Sequence, residues 1–170
     1  MKYLQSGGFQ HQPFMRLTLA FSLLLLLGLW ATNWAMFLSR MSLTPSSVAA
    51  YYLGSEEDFR NPKTAAALLE TTHMHLPIMA VVLLLLTHLL LFAPYSDKAK
   101  VFFVSASFLS ALSNEGSGWL VRFVHPGFAW LKLMSFLGLQ AMLAFLLFAL
   151  AVFLRSGHPG APHHPAHSKR

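Results

Sequence analysis

Seven side chains in this sequence could do chemistry inside otherwise apolar surroundings: Glu70, His73, His75, His88, Glu115, Arg122 and His125. Imidazole ligates haem iron and other metals and exchanges protons near neutral pH, and a carboxylate beside it is a fitting proton acceptor. Glu70 and His73 form a Glu-x-x-His spacing, which sets both on one helical face as in carboxylate-bridged metal bundles. That motif occurs once, so the metal reading is a mononuclear site drawing on His73, His75 and His125, with Glu70 beside them. No serine, histidine and carboxylate arrangement of the hydrolase kind stands out. With no cysteine, the chain cannot form disulfides, iron–sulfur clusters, thiolate nucleophiles or covalently attached haem.

Helical phase sorts the candidates from Glu70 to His88, which share one helix. At about 100° per residue, Glu70, His73 and His88 fall within a wedge of roughly 60°, and His75 points to nearly the opposite side. His73 and His88 are about 22 Å apart along the axis, a spacing similar to that of respiratory b-type cytochromes, where one helix ligates two stacked haems. His125 could supply the opposite ligand of an outer haem. For His88 the facing candidate is Met142, which makes an inner haem the weaker expectation. Plainer roles compete at each position. His88 could be a packed, hydrogen-bonded residue, His125 before Pro126 a capping group, and Glu115 half of an ion pair with Arg122 or Lys132.

The elements that must position these groups are membrane spans. The chain is 55% hydrophobic and 11% charged, with a mean hydropathy of +0.53, whereas soluble domains carry about 25% charged residues. The net charge of +6 does not indicate nucleic acid, because the basic residues sit at the ends of apolar runs, where they set orientation. The pattern predicts an all-α integral membrane four-helix bundle with spans at about 17–39, 71–94, 101–124 and 127–154. Asn61-Pro62 reads as the start of the second helix, and Pro77 should kink it. The third span is the most polar, with Glu115, Arg122, Asn114 and serines, small residues that let helices approach closely and could bond across an interface. Lys132 should lie near the surface at the start of the fourth.

Positive charges in the short segments put both ends on the cytoplasmic side. Lys2 and Arg16 belong to a cytoplasmic arm at 1–16, Lys98 and Lys100 to the second loop, and Arg155, Lys169 and Arg170 to the tail. The first loop then lies outside, with a short interfacial helix over Ser46–Leu53 and Tyr51 and Tyr52 at headgroup level. The tail at 156–170 is Gly, Pro and His without apolar pattern, which predicts disorder. Its His158, His163, His164 and His167 read as a solvated stretch before a metal site.

From Tyr51 to Leu154 the sequence resembles a small group of bacterial four-helix inner-membrane proteins with a T-H-x-H-L signature. The resemblance rests on Thr72-His73-Met74-His75-Leu76, an acidic residue ahead of Gly118-Trp119-Leu120, then Phe128-Ala129-Trp130 and Gly138. It implies the architecture, a bacterial inner-membrane location and a site at the signature histidines, and no activity. Where the group commonly has glycine or an apolar residue, this chain has His88.

Taken together, the expectation is a small membrane subunit of a respiratory or electron-transfer complex, holding or abutting a haem b or quinone site near the outer membrane face. His73 and His75 are the leading cofactor-binding residues, with His125 opposite, His88 as a further candidate, and Glu70 or Glu115 as proton acceptor. The expected surroundings are the lipid bilayer, other membrane subunits or an outer-side redox protein, and no nucleic acid. A cofactor-free accessory subunit is the rival, and a metal or solute carrier the third reading.

Overall fold

The computed structural model describes residues 13–57 and 59–155. They form α1 (Pro13–Arg40), α2 (Pro45–Leu53), α3 (Ala65–Leu91), α4 (Asp97–Phe123), a single 3-10 turn (Pro126–Phe128) and α5 (Ala129–Arg155). The helix ends follow from local chemistry. The Thr44 hydroxyl caps α2 by accepting from the Ser47 amide, with Pro45 as the first helical residue, whose missing N–H costs nothing there. Ser96 caps α4 in the same way, accepting from Ala99. α3 starts later than Asn61-Pro62 suggested, because the Thr64 side chain takes the capping bond from Ala67. It then runs through Pro77 as one continuous helix. α1 begins at Pro13, ahead of the expected span, and residues 1–12 and the histidine-rich tail lie outside the described residues.

Three elements are long and apolar enough to cross a membrane: α1, α3, and the stretch from Pro126 through α5. α4 is as long, at 27 residues, but its serines, Asn114 and Glu115 make it more polar. Its polar side faces the bundle, with Ser107, Asn114, Ser117 and Gly118 all buried. Of the two roles open to these small residues, close helix approach and bonding across the interface, Ser107 and Ser117 do not take the second: Ser107 donates to the Phe103 carbonyl at 2.6 Å and Ser117 to that of Asn114 at 2.9 Å, both on their own helix. Their contribution to packing is smallness, as with Gly138, where an added Cβ would stand 3.2 Å from the Ser110 hydroxyl.

α5 is the central helix, packed against α1, α2, α3 and α4. An aromatic seam joins it to α1: Phe37 stacks on Phe136 with ring centres 3.9 Å apart, and Trp34 meets the same ring edge-on at 5.2 Å. Phe103 of α4 stacks on Phe145 at 3.7 Å near the other end. The core falls into two apolar clusters. One lies around Leu83, Leu86, Leu146 and Leu150, and the other around Phe37, Val48, Val121 and Phe136 beneath α2. α1 makes its main contacts with α5 and packs on α3 weakly at most, leaving space between those two helices.

Candidate functional site

That space is a cavity of about 320 Å³, walled by α1, α3, α4 and α5 and closed at one end by α2. Each wall supplies residues at helical spacing. Thr72, His75, Met79 and Leu83 come from one stripe of α3, and Asn33, Met36 and Arg40 from one stripe of α1. Met36 of α1 and Ile78 of α3 both line the cavity and are 48% and 51% exposed, so it opens sideways between those helices. α4 gives Asn114, Glu115 and Gly118, and α5 gives Lys132, Phe136 and Gln140.

The polar centre is a pair. His75 Nδ1 lies 2.9 Å from Glu115 Oε1, with the imidazole about half exposed and the carboxylate nearly buried. With Glu115 ionised, Nδ1 carries the proton and donates to it, which leaves Nε2 as a proton acceptor. Lys132 is buried rather than superficial. Its ammonium donates to the Asn114 carbonyl at 2.8 Å and acts electrostatically on the Glu115 carboxylate. The nearly buried Glu115 carboxylate therefore has a hydrogen-bonded imidazole on one side and a cation nearby, which offset the cost of burying its charge.

α2 forms the roof. The Tyr52 side chain is buried over Gly118, where an added Cβ would stand 2.9 Å from its hydroxyl oxygen, so no larger residue fits without displacing the ring. Burial, then the neighbouring Tyr51 and Glu115, push the Tyr52 hydroxyl well above the usual phenol range and keep it neutral. Tyr51 accepts from Arg40 Nη1 at 3.3 Å and carries the Lys63 ammonium 4.5 Å above its ring centre.

The expected site residues do not all converge. His75 and Glu115 line the cavity together. Glu70, His73 and His88 are exposed on other sides of α3, and the His88 ring meets Phe92 edge-on at 5.4 Å. His125 is exposed, and its Nδ1 accepts from the Gly127 amide at 2.9 Å, capping the turn before α5. The metal trio His73, His75 and His125 is thus not assembled, and no group of three or more His, Cys, Asp or Glu comes together among the described residues. Of the two cations named as partners for Glu115, Lys132 acts on it, whereas Arg122 donates from Nε to the Lys63 carbonyl at 2.7 Å, tying α4 to the segment ahead of α3.

Gln140 escaped the sequence reading, and Asn114 was read there only as part of a polar span. Gln140 is 1% exposed, and neither atom of its amide has a hydrogen-bond partner among the described residues; Asn114 Oδ1 is likewise unpaired. Each such group left unpaired costs about 1–3 kcal/mol, so these three atoms, on the α4 and α5 walls, mark a place kept polar against stability. The available signal was Gln140 as the sole amide in the uncharged run from Leu133 to Leu154.

A family model described as a transmembrane helical domain, Aq_1264_TM, matches residues 42–159, from ahead of α2 to beyond the end of α5. No curated protein and no solved structure matches the chain.

Proposed function

The chain belongs to the Aq_1264_TM transmembrane helical domain family and is a multi-pass membrane protein, and from that premise we propose that it binds a quinone headgroup as a small subunit of an electron-transfer complex. In this reading α4 is a fourth span, both ends of the chain are cytoplasmic, and α2 lies in the outer interface of a bacterial inner membrane. The cavity is then near the outer face and opens to the lipid between α1 and α3, where a membrane-dissolved ligand would enter.

The observation that carries the reading is the His75–Glu115 pair on the wall of a largely apolar, laterally open cavity. Quinol oxidation releases two protons with two electrons. His75 Nε2 is suited to accept one proton from a ligand hydroxyl, while Glu115 orients the ring and stabilises the imidazolium that results, and the second proton passes to water at the outer face. The electrons require a redox protein at the outer side or in a neighbouring membrane subunit. Haem b is less well supported. A six-coordinate haem takes axial ligands from facing helices, and His75 is the cavity's histidine among the described residues.

The full chain, purified in mild detergent, should release quinone on organic extraction in an amount approaching one per chain, and His75→Leu should carry several-fold less. Its visible spectrum should lack a Soret band. A Soret band that sharpens on reduction would replace the quinone reading with haem. A colourless preparation free of quinone, even when supplied with it, would leave a cofactor-free accessory subunit.

A further inference from the structure

Gln140 is a polar group of the cavity lining that the His75–Glu115 pair leaves unused. Its side-chain amide is buried without a partner among the described residues, whereas its backbone carbonyl is satisfied by the Trp30 indole at 3.1 Å. Packing does not explain it, because leucine or methionine would fill a similar volume without unpaired atoms. It stands on the cavity wall next to Leu139, at the end away from α2. Along α5 it lies about 12 Å beyond Lys132, whose ammonium reaches the Asn114 carbonyl beside Glu115. The cavity thus carries the His75–Glu115 pair and, separately, Gln140, with Met79 and Phe136 in its apolar lining.

An amide both donates and accepts. It can therefore meet a ring carbonyl through Nε2 or a ring hydroxyl through Oε1, serving the oxidised and reduced forms of one ligand. Resting on the quinone reading above, we propose that Gln140 is the second polar anchor, holding the far ring oxygen while His75 holds the near one. The substrate class is then a ring with oxygens at opposite ends, bound lengthwise in the cavity, and not a one-ended amphiphile such as a fatty acid.

The test titrates the full chain in lipid nanodiscs with a short-tailed benzoquinone and with a monophenol carrying the same tail, read by tryptophan fluorescence. Gln140→Leu should weaken quinone binding about tenfold, the value of one hydrogen bond to the ligand, and leave monophenol binding unchanged. Without ligand it should melt at or above the wild-type temperature, because an unpaired buried amide has been removed. Gln140→Met should behave alike. Unchanged quinone affinity in Gln140→Leu would overturn the anchor and leave the quinone reading standing. Failure of the wild-type chain to bind the quinone at all would overturn both. Lower melting temperatures with equal losses for both probes would assign Gln140 to structure and overturn the proposal.

Discussion

At the scale of single residues, the account turns on which side of α3 meets the cavity. Helical phase correctly separates His75 from Glu70, His73 and His88, but α3 is apolar on every side, so phase alone cannot say which face has neighbours. The partner decides it: Glu115 comes from α4, forty positions away in sequence, and meets His75 at 2.9 Å. The same blindness to tertiary context made Lys132 look superficial, when its ammonium has a carbonyl and a carboxylate to stabilise it in the interior. The functional consequence is specific. Glu115→Gln keeps the shape and removes the charge that fixes the His75 tautomer, so the protein should fold and bind quinone several-fold more weakly, with slower proton-coupled turnover. His73→Ala and His88→Leu should leave binding unchanged. Isothermal titration of the variants checks this, and equal losses from His73→Ala and Glu115→Gln would move the site off the cavity.

At the scale of elements, the sequence carried the helices well and their ends less well. The apolar runs are long enough to be unmistakable, and the Thr44-Pro45 start of α2 is a local signal that tertiary structure had no reason to override. At α3 two start signals compete, Asn61-Pro62 and Thr64. The second wins, with Lys63 held outside the helix by the hydrogen bond its backbone amide donates to the Tyr52 carbonyl at 3.0 Å. α4 shows why a polar span is legible only in part: its serines, Asn114 and Glu115 announce an inward face without saying what it meets. What it meets includes α2, through Gly118 beneath Tyr52. Gly118→Val should drive the Tyr52 ring outward, unseat α2 from the roof of the cavity, and lower the melting temperature. The loss should correspond to about 1–3 kcal/mol, the usual cost of overpacking. Circular-dichroism melting measures it, and an unchanged melting temperature would contradict the close approach of α2 to α4.

At the scale of the whole molecule, charge placement and span count together predict topology. Reporter fusions after Arg155 and near Lys98 should report cytoplasm, and fusions near Glu57 should report the outer side; an outer-side tail would invert the depth assigned to the cavity. The cavity itself could not be read from the sequence, because it is the space left where α1 packs on α5 without closing against α3. The central claim is that a quinone headgroup occupies this space. Photolabelling of the full chain in native-like membranes with an azido-substituted quinone, followed by peptide mapping, tests it most directly. Label should concentrate on the cavity-lining stretches of α1 and α3, residues 29–41 and 71–83, and be displaced by excess unlabelled quinone. Label spread over the lipid-facing surface and unaffected by the competitor would contradict the account.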